Sequence, residues 1–362
     1  MYCRVFRVTV SARGEVLQRI ISIDSGLHRV WAILVLVPLL AGCSAQHNVA
    51  SGSPSTPERA CSRYDTAPAA LRSRDGYVQV TVTVTSSSDD PVRSLAEGDF
   101  KLYVNEQPIP IAFFRKDFDS PVSVGLVTDT SGSMFTFLPQ VRDAMQHFVG
   151  ELDDRDDVLL IAFADRPYLL SGFTTDHAAV VERMGMFHAQ GPTALNDTVL
   201  DALQTMEAGC YDRRAVVVVS DGDDTASRRD PEQLTDMINR SPDLIYTIRL
   251  AEPEGQNRIG FGSPQPPEQP GAVALASLSK ETGAKSILVQ KSEKQDELLK
   301  ACEQISRELK SQYTIGFVAG DPASGYRPVR VEIRSHPEMK VRARPGIVPP
   351  LQGASANQPA LK

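Results

Sequence analysis

Residues 122–129 read VSVGLVTD, a continuous apolar run without polar alternation. Such a run is stable as a strand only where both of its faces are covered, as they are inside a parallel sheet. The pattern behind it alternates. Leu138 to Leu152 carries apolar residues at helical spacing, Val158 to Phe163 is a second apolar strand, and Tyr168 to Phe173 follows a tight Asp-Arg-Pro turn that predicts an antiparallel return. Helices are predicted over His177 to Phe187, Leu195 to Ala208, Pro231 to Asn239, Val273 to Thr282 and Glu293 to Leu309. Strands are predicted over Ala215 to Ser220, Leu244 to Leu250 and Ser286 to Val289. Six strands interleaved with helices specify an α/β fold, a doubly wound, mostly parallel six-stranded sheet.

The flanks follow a different rule. Tyr77 to Thr85, YVQVTVTVT, alternates with a period of two, and Phe100 to Val104 and Ile109 to Phe114 are two more short strands around the turn Asn105-Glu106-Gln107-Pro108. Beyond the α/β segment, Tyr313 to Val318, Val329 to Arg334 and Val341 to Arg344 return to β alternation. Neither flank has enough strands to close a core alone, so the economical expectation is one small β-sandwich built from both, with the α/β domain inserted. The boundaries expected are 75–117 and 313–347 for the sandwich, 118–312 for the inserted domain and 348–362 for a disordered tail. With 362 residues and 41% hydrophobic content the chain has ample material for such cores. Its 38 Lys and Arg against 45 Asp and Glu give a net charge of −7, which lacks the basic surplus of a nucleic-acid binder.

The N-terminal segment reads as an address. The uncharged run VWAILVLVPLLAG, residues 30–42, follows His28 and Arg29 and is too short for a bilayer that needs about 20 residues. It ends in Leu40-Ala41-Gly42-Cys43, which resembles the lipobox of bacterial lipoproteins. That resemblance implies a signal peptide and lipobox over residues 1–43, lipidation of Cys43 and a lipid-anchored protein of the cell envelope. Ser44 in the following position resembles the class sorted to the outer membrane or held on its periplasmic side. Residues 44–74, rich in Ser, Ala and Pro, are expected to be a flexible linker.

The first apolar strand runs into Asp129-Thr130-Ser131-Gly132-Ser133-Met134 at the carboxyl end of a parallel strand, the edge where open α/β sheets bind ligands. Oxygen-bearing side chains at alternate positions can converge there on a hard cation. Thr193, in Gly191-Pro192-Thr193, and Asp221, in Ser220-Asp221-Gly222, are expected to reach the same edge. In this order Asp-x-Ser-x-Ser, Thr and Asp resemble the metal-ion-dependent adhesion site of the von Willebrand factor type A domain, over roughly Pro121 to Gln312. The resemblance implies a metal site of Asp129, Ser131, Ser133, Thr193 and Asp221 holding Mg2+, with Mn2+ or Ca2+ as alternatives. It also implies a protein partner that offers an Asp or Glu carboxylate. Pro192 departs from the Gly that many members carry before the Thr, which removes no ligand oxygen.

Phe135 and Phe137 follow the metal loop and are candidate apolar anchors at a partner-binding rim; Asp223, Asp224, Arg228 and Arg229, behind Asp221, are candidate tuners of partner charge. Residues 252–271, rich in Gly and Pro, are a candidate specificity loop. Cys61, Cys210 and Cys302 leave open whether a pair forms, since Cys210 and Cys302 also read as small buried residues. No catalytic residue is expected: no Gly-x-Ser-x-Gly elbow, His-Glu-x-x-His pair or phosphate loop is present. The competing readings are a metal-dependent hydrolase using Asp129, which requires a general base beside it, and a purely structural scaffold.

Overall fold

The computed structural model describes residues 77–251, 270–290, 296–318, 325–334, 336 and 338–349. The expected leader with Cys43, the linker to residue 74, residues 252–269 of the Gly/Pro-rich loop and the tail from residue 350 lie outside them. Among the described residues no helix is long and apolar enough to cross a membrane.

The chain opens with β1 (Tyr77–Thr85), β2 (Phe100–Val104), β3 (Gln107–Ile109) and β4 (Phe113–Lys116). The α/β segment follows as β5 (Ser123–Asp129), α1 (Leu138–Gly150), β6 (Asp157–Phe163), β7 (Pro167–Thr174), α2 (His177–Met184), α3 (Leu195–Met206), β8 (Arg214–Ser220), α4 (Pro231–Arg240), β9 (Leu244–Ala251), α5 (Pro270–Thr282), β10 (Ser286–Gln290) and α6 (Asp296–Leu309). The chain then returns to β structure with β11 (Tyr313–Val318), β12 (Arg327–Ile333), β13 (Lys340–Ala343) and β14 (Gly346–Ile347).

The six-stranded sheet has the order β10-β9-β8-β5-β6-β7. Five strands are parallel, and β7 runs antiparallel to β6 as the Asp-Arg-Pro turn predicts. Every residue of β5 and β6 is buried, the condition their unbroken apolar runs demand. Side chains part by period two: Val124 and Leu126 of β5 and Val217 and Val219 of β8 face α1 and α6. Val127 of β5 and Val216 and Val218 of β8 face α3, α4 and α5.

The flanks form two further four-stranded sheets, β13-β1-β11-β4 and β14-β12-β2-β3, which share one core. Val80 and Val82 of β1 and Ile315 and Phe317 of β11 face Phe100 and Leu102 of β2 and Val331 of β12. The Phe100 and Tyr313 rings meet across the core at 5.2 Å between centroids. One expectation is corrected here. Residues 109–114 are not a single strand: β3 pairs with β2 in one sheet and β4 with β11 in the other, and the chain changes sheet over Pro110 to Ala112. Pro110 has no N–H to continue a ladder, and Ala112 donates its own to Gly316 O at 2.7 Å. The expected turn is also tighter, a two-residue connection through Asn105 and Glu106 at φ +50° and +60°.

The sandwich packs on the amino edge of the six-stranded sheet. Arg213, just before β8, donates to Ser120 O on the way into β5 and to Leu309 O at the end of α6, so one guanidinium holds both connections. Its side chain is 8% exposed, and it lies 4.0 Å from the fully buried Asp117 carboxylate. Beside it Tyr246 donates to Glu308, Gln312 donates to Tyr246, each at 2.8 Å, and Arg342 of β13 reaches Glu308. Arg344, 5% exposed, crosses to Ile238 O at the end of α4. Because β5 runs for seven residues away from this interface, its far end stands roughly 20 Å from the sandwich. Cys302 is a free thiol buried in α6, its pKa pushed by burial up to about 12, whereas Cys210 is disulfide-bonded.

Candidate metal centre

Three loops meet at the carboxyl edge. The first leaves β5 at Asp129, which is fully buried between β6 and β8. Thr130 ties it to β6 by donating both its N–H, at 2.7 Å, and its hydroxyl, at 2.9 Å, to Phe163 O. The Ser131 N–H turns back to Asp129 Oδ1 at 2.8 Å, a local turn that short carboxylate side chains favour. A single 3-10 turn over Gly132–Met134 follows, pinned by the fully buried Met134. It presents the Ser131 and Ser133 hydroxyls 3.1 Å apart.

The second loop is sewn to the first. Gly132 N donates to Gly191 O at 3.0 Å and Gln190 N to Thr130 O at 2.9 Å, with Gly191 at φ +71°. This fastens the loop that carries Thr193, 3% exposed, to the loop that carries the serines. The third loop is sewn to the second: Thr225 N and Ala226 N both donate to Thr193 O at 2.8 Å, and Thr193 N donates to Thr225 Oγ1 at 3.0 Å. It also reaches the first loop, where the Ser220 hydroxyl donates to Asp129 Oδ2 at 2.5 Å. All five residues expected at the site therefore lie on cross-linked loops at one edge. Asp129, Ser131 and Thr193 are buried, Asp221 is half-buried and Ser133 is exposed.

The electrostatics favour a cation. Burial pushes the Asp129 carboxyl up to about 6, hydrogen bonds from Ser220 and Ser131 oppose this, and the neighbouring Asp221 carboxylate adds to the rise. Among the described residues the hydrogen-bond partners of Asp129 are Ser131 and Ser220, which supply hydroxyls and an amide but no balancing positive charge. A hard divalent ion would relieve that arrangement, and the donors suit one: two carboxylates and three neutral hydroxyls, all oxygen. The 3.1 Å between the serine hydroxyls is close to the edge of about 3 Å in an octahedron with bonds of ~2.0–2.1 Å. Among the described residues no group of three His, Cys, Asp or Glu is placed to hold a metal ion, so an ion here would depend on the hydroxyl oxygens to complete its shell beside the two carboxylates.

The rim differs from expectation in two places. Phe135 is 73% exposed beside Ser133, but Phe137 is half-buried and packs against the core, because α1 begins at Leu138 and turns the preceding residue inward. Arg229 does not project freely. Its guanidinium pairs with Asp201 of α3, and the N–H groups of Arg228 and Arg229 donate to the two oxygens of Asp197 at 2.9 and 3.0 Å. The Arg228 side chain is exposed. Asp224 completes this fastening by accepting from Asn196 N, at the start of α3, and from Ser227 N. Sequence reasoning missed Asp197, and it drew attention to Ser220 only as the neighbour of Asp221 and to Asp224 only as a charge at the rim, not as the fastenings they are.

Residues 124–223 match the family model of the von Willebrand factor type A domain. The inter-alpha-trypsin inhibitor heavy chain H4 of Sus scrofa is 28% identical over 139 residues, which cover 35% of this chain and 15% of that relative. The chain thus corresponds to a small part of its length. Among solved structures, a von Willebrand factor type A protein from Catenulispora acidiphila is similar over 75% of this chain and 73% of its own, at 12% identity and a TM-score of 0.43. BatB from Bacteroides thetaiotaomicron, at 17% identity and a TM-score of 0.40, is covered completely by 52% of this chain.

Proposed function

We propose that this chain, which carries a von Willebrand factor type A domain, uses it to hold a protein partner through a divalent cation bound by Asp129, Ser131, Ser133, Thr193 and Asp221. Domains of this family serve generally as protein–protein interaction modules. The observation that carries the finer reading is the convergence of three cross-linked loops around a buried, charge-uncompensated Asp129 beside Asp221. Ser131, Ser133 and Thr193 contribute no charge and the two carboxylates balance a +2 ion, but these five residues fill at most five of the six positions an octahedral ion takes, which leaves one for another anion. When bound, Mg2+ supplies an electrophilic position open to a partner's Asp or Glu carboxylate. Phe135 offers apolar area next to that position, where it would shield the new contact from water. The hydroxyl and amide partners of Asp129 provide no general base, which favours binding over turnover. In the cell the domain would be displayed on the envelope, tethered through lipidated Cys43 and the linker behind it, on the outer-membrane or periplasmic side.

The open position makes a direct prediction. With Mn2+ in place of Mg2+, the protein should enhance water-proton relaxation, and acetate added as a stand-in for the partner's carboxylate should lower that enhancement saturably. Enhancement indifferent to acetate would mean a closed, structural ion and would remove the proposed mode of recognition.

A further inference from the structure

The Ser220 hydroxyl joins the two carboxylate-bearing loops. Ser220 is the last residue of β8 and is fully buried. Its oxygen accepts the Gly222 N–H at 3.0 Å, across the turn that carries Asp221, while its one proton goes to Asp129 Oδ2 at 2.5 Å. The other Asp129 oxygen accepts the Ser131 N–H at 2.8 Å. The carboxylate is therefore gripped at both oxygens by donors from two different loops, and rotation about its terminal torsion breaks one bond or the other. Gly222, at φ +95°, allows the turn to close on Ser220.

We propose that Ser220 is a positioning residue that sets the preference of the site for Mg2+ over Ca2+. The inference rests on the divalent-cation reading above and goes further by naming what tunes it. Mg2+ demands near-ideal octahedral geometry at ~2.0–2.1 Å, whereas Ca2+ accepts irregular shells at ~2.3–2.6 Å. A carboxylate locked in orientation and tied to the neighbouring carboxylate loop serves the demanding ion. A carboxylate free to swing serves the tolerant one nearly as well. Groups that orient a ligand without touching the ion typically govern about 10–100-fold in affinity.

The test is calorimetric titration of the full chain with Mg2+ and, separately, with Ca2+, for the wild type, Ser220→Ala and Ser220→Thr, with thermal melts to confirm folding. Ser220→Ala should weaken Mg2+ by roughly 10–100-fold and Ca2+ by less than about threefold, collapsing the Mg2+/Ca2+ ratio. Ser220→Thr, which keeps the hydroxyl, should restore the ratio. An equal loss for both ions would indicate a merely structural role and overturn the assignment, as would an unchanged ratio in a folded Ser220→Ala. A wild type that binds neither ion would overturn the divalent-cation reading itself, and this proposal with it.

Discussion

Replacing Arg213 with methionine should cost about 3 kcal/mol of stability and lower the melting temperature by roughly 6–12 °C. Methionine matches the stem of the side chain and removes its hydrogen bonds. Those bonds reach Ser120 O, Leu309 O and Gln312 Oε1, the last at 3.3 Å, and their loss leaves buried acceptors on both connections between the sandwich and the inserted domain. Burial drags the guanidinium below its ordinary range while Asp117 pulls it back, which is the signature of a charge retained for its contacts. Asp117 keeps Arg115 and Thr314 as partners, so the damage should concentrate on the connections. Scanning calorimetry should then resolve two transitions where the wild type shows one. A single transition at the wild-type temperature would show that the clamp does not couple the two parts.

Gly283→Ala is the second large effect expected, a loss of roughly 2–4 kcal/mol. Gly283 sits at φ +82°, where an L side chain costs about 1–2 kcal/mol. An added Cβ would also lie 2.5 Å from the backbone of Ala343 and Arg344, which cannot swing aside as a side chain can. Moving that backbone would draw Arg344 away from Ile238 O, which it meets at 3.1 Å. The urea midpoint should fall, while cation binding at the opposite edge of the sheet should stay at the wild-type level. A midpoint unchanged within about 0.5 kcal/mol would contradict the close approach.

The α/β layer was readable because its strands are covered on both faces and therefore carry unbroken apolar runs. Ser123–Asp129, Asp157–Phe163 and Arg214–Ser220 all fall within a residue of where those runs lie. The sandwich was readable as alternation but not as topology. Alternation tells which residues face a core and not which sheet carries them, so the change of sheet at Pro110–Ala112 and the two-residue β14 escaped. At the site, the oxygen-bearing residues announced themselves through spacing and through their place at strand ends. The residues that hold them did not. Ser220 reads as one more position in a buried strand, and Asp224 reads as a rim charge, since it and Asp197 lie on separate elements whose approach only the folded loops create. Phe135 and Phe137 are indistinguishable in sequence. One 3-10 turn and the start of α1 send the first to solvent and the second to the core.

The central claim, a divalent cation held by five residues from three loops, is tested most directly by titrating the protein with Mg2+ alongside Asp129→Ala and Thr193→Ala. Asp129→Ala removes a buried carboxylate from the first loop, and Thr193→Ala removes a neutral hydroxyl from the second. The account predicts saturable binding in the wild type and its loss in both variants, with thermal melts showing each still folded. Binding that survives undiminished in either folded variant, or a wild type that takes up no Mg2+, would contradict it.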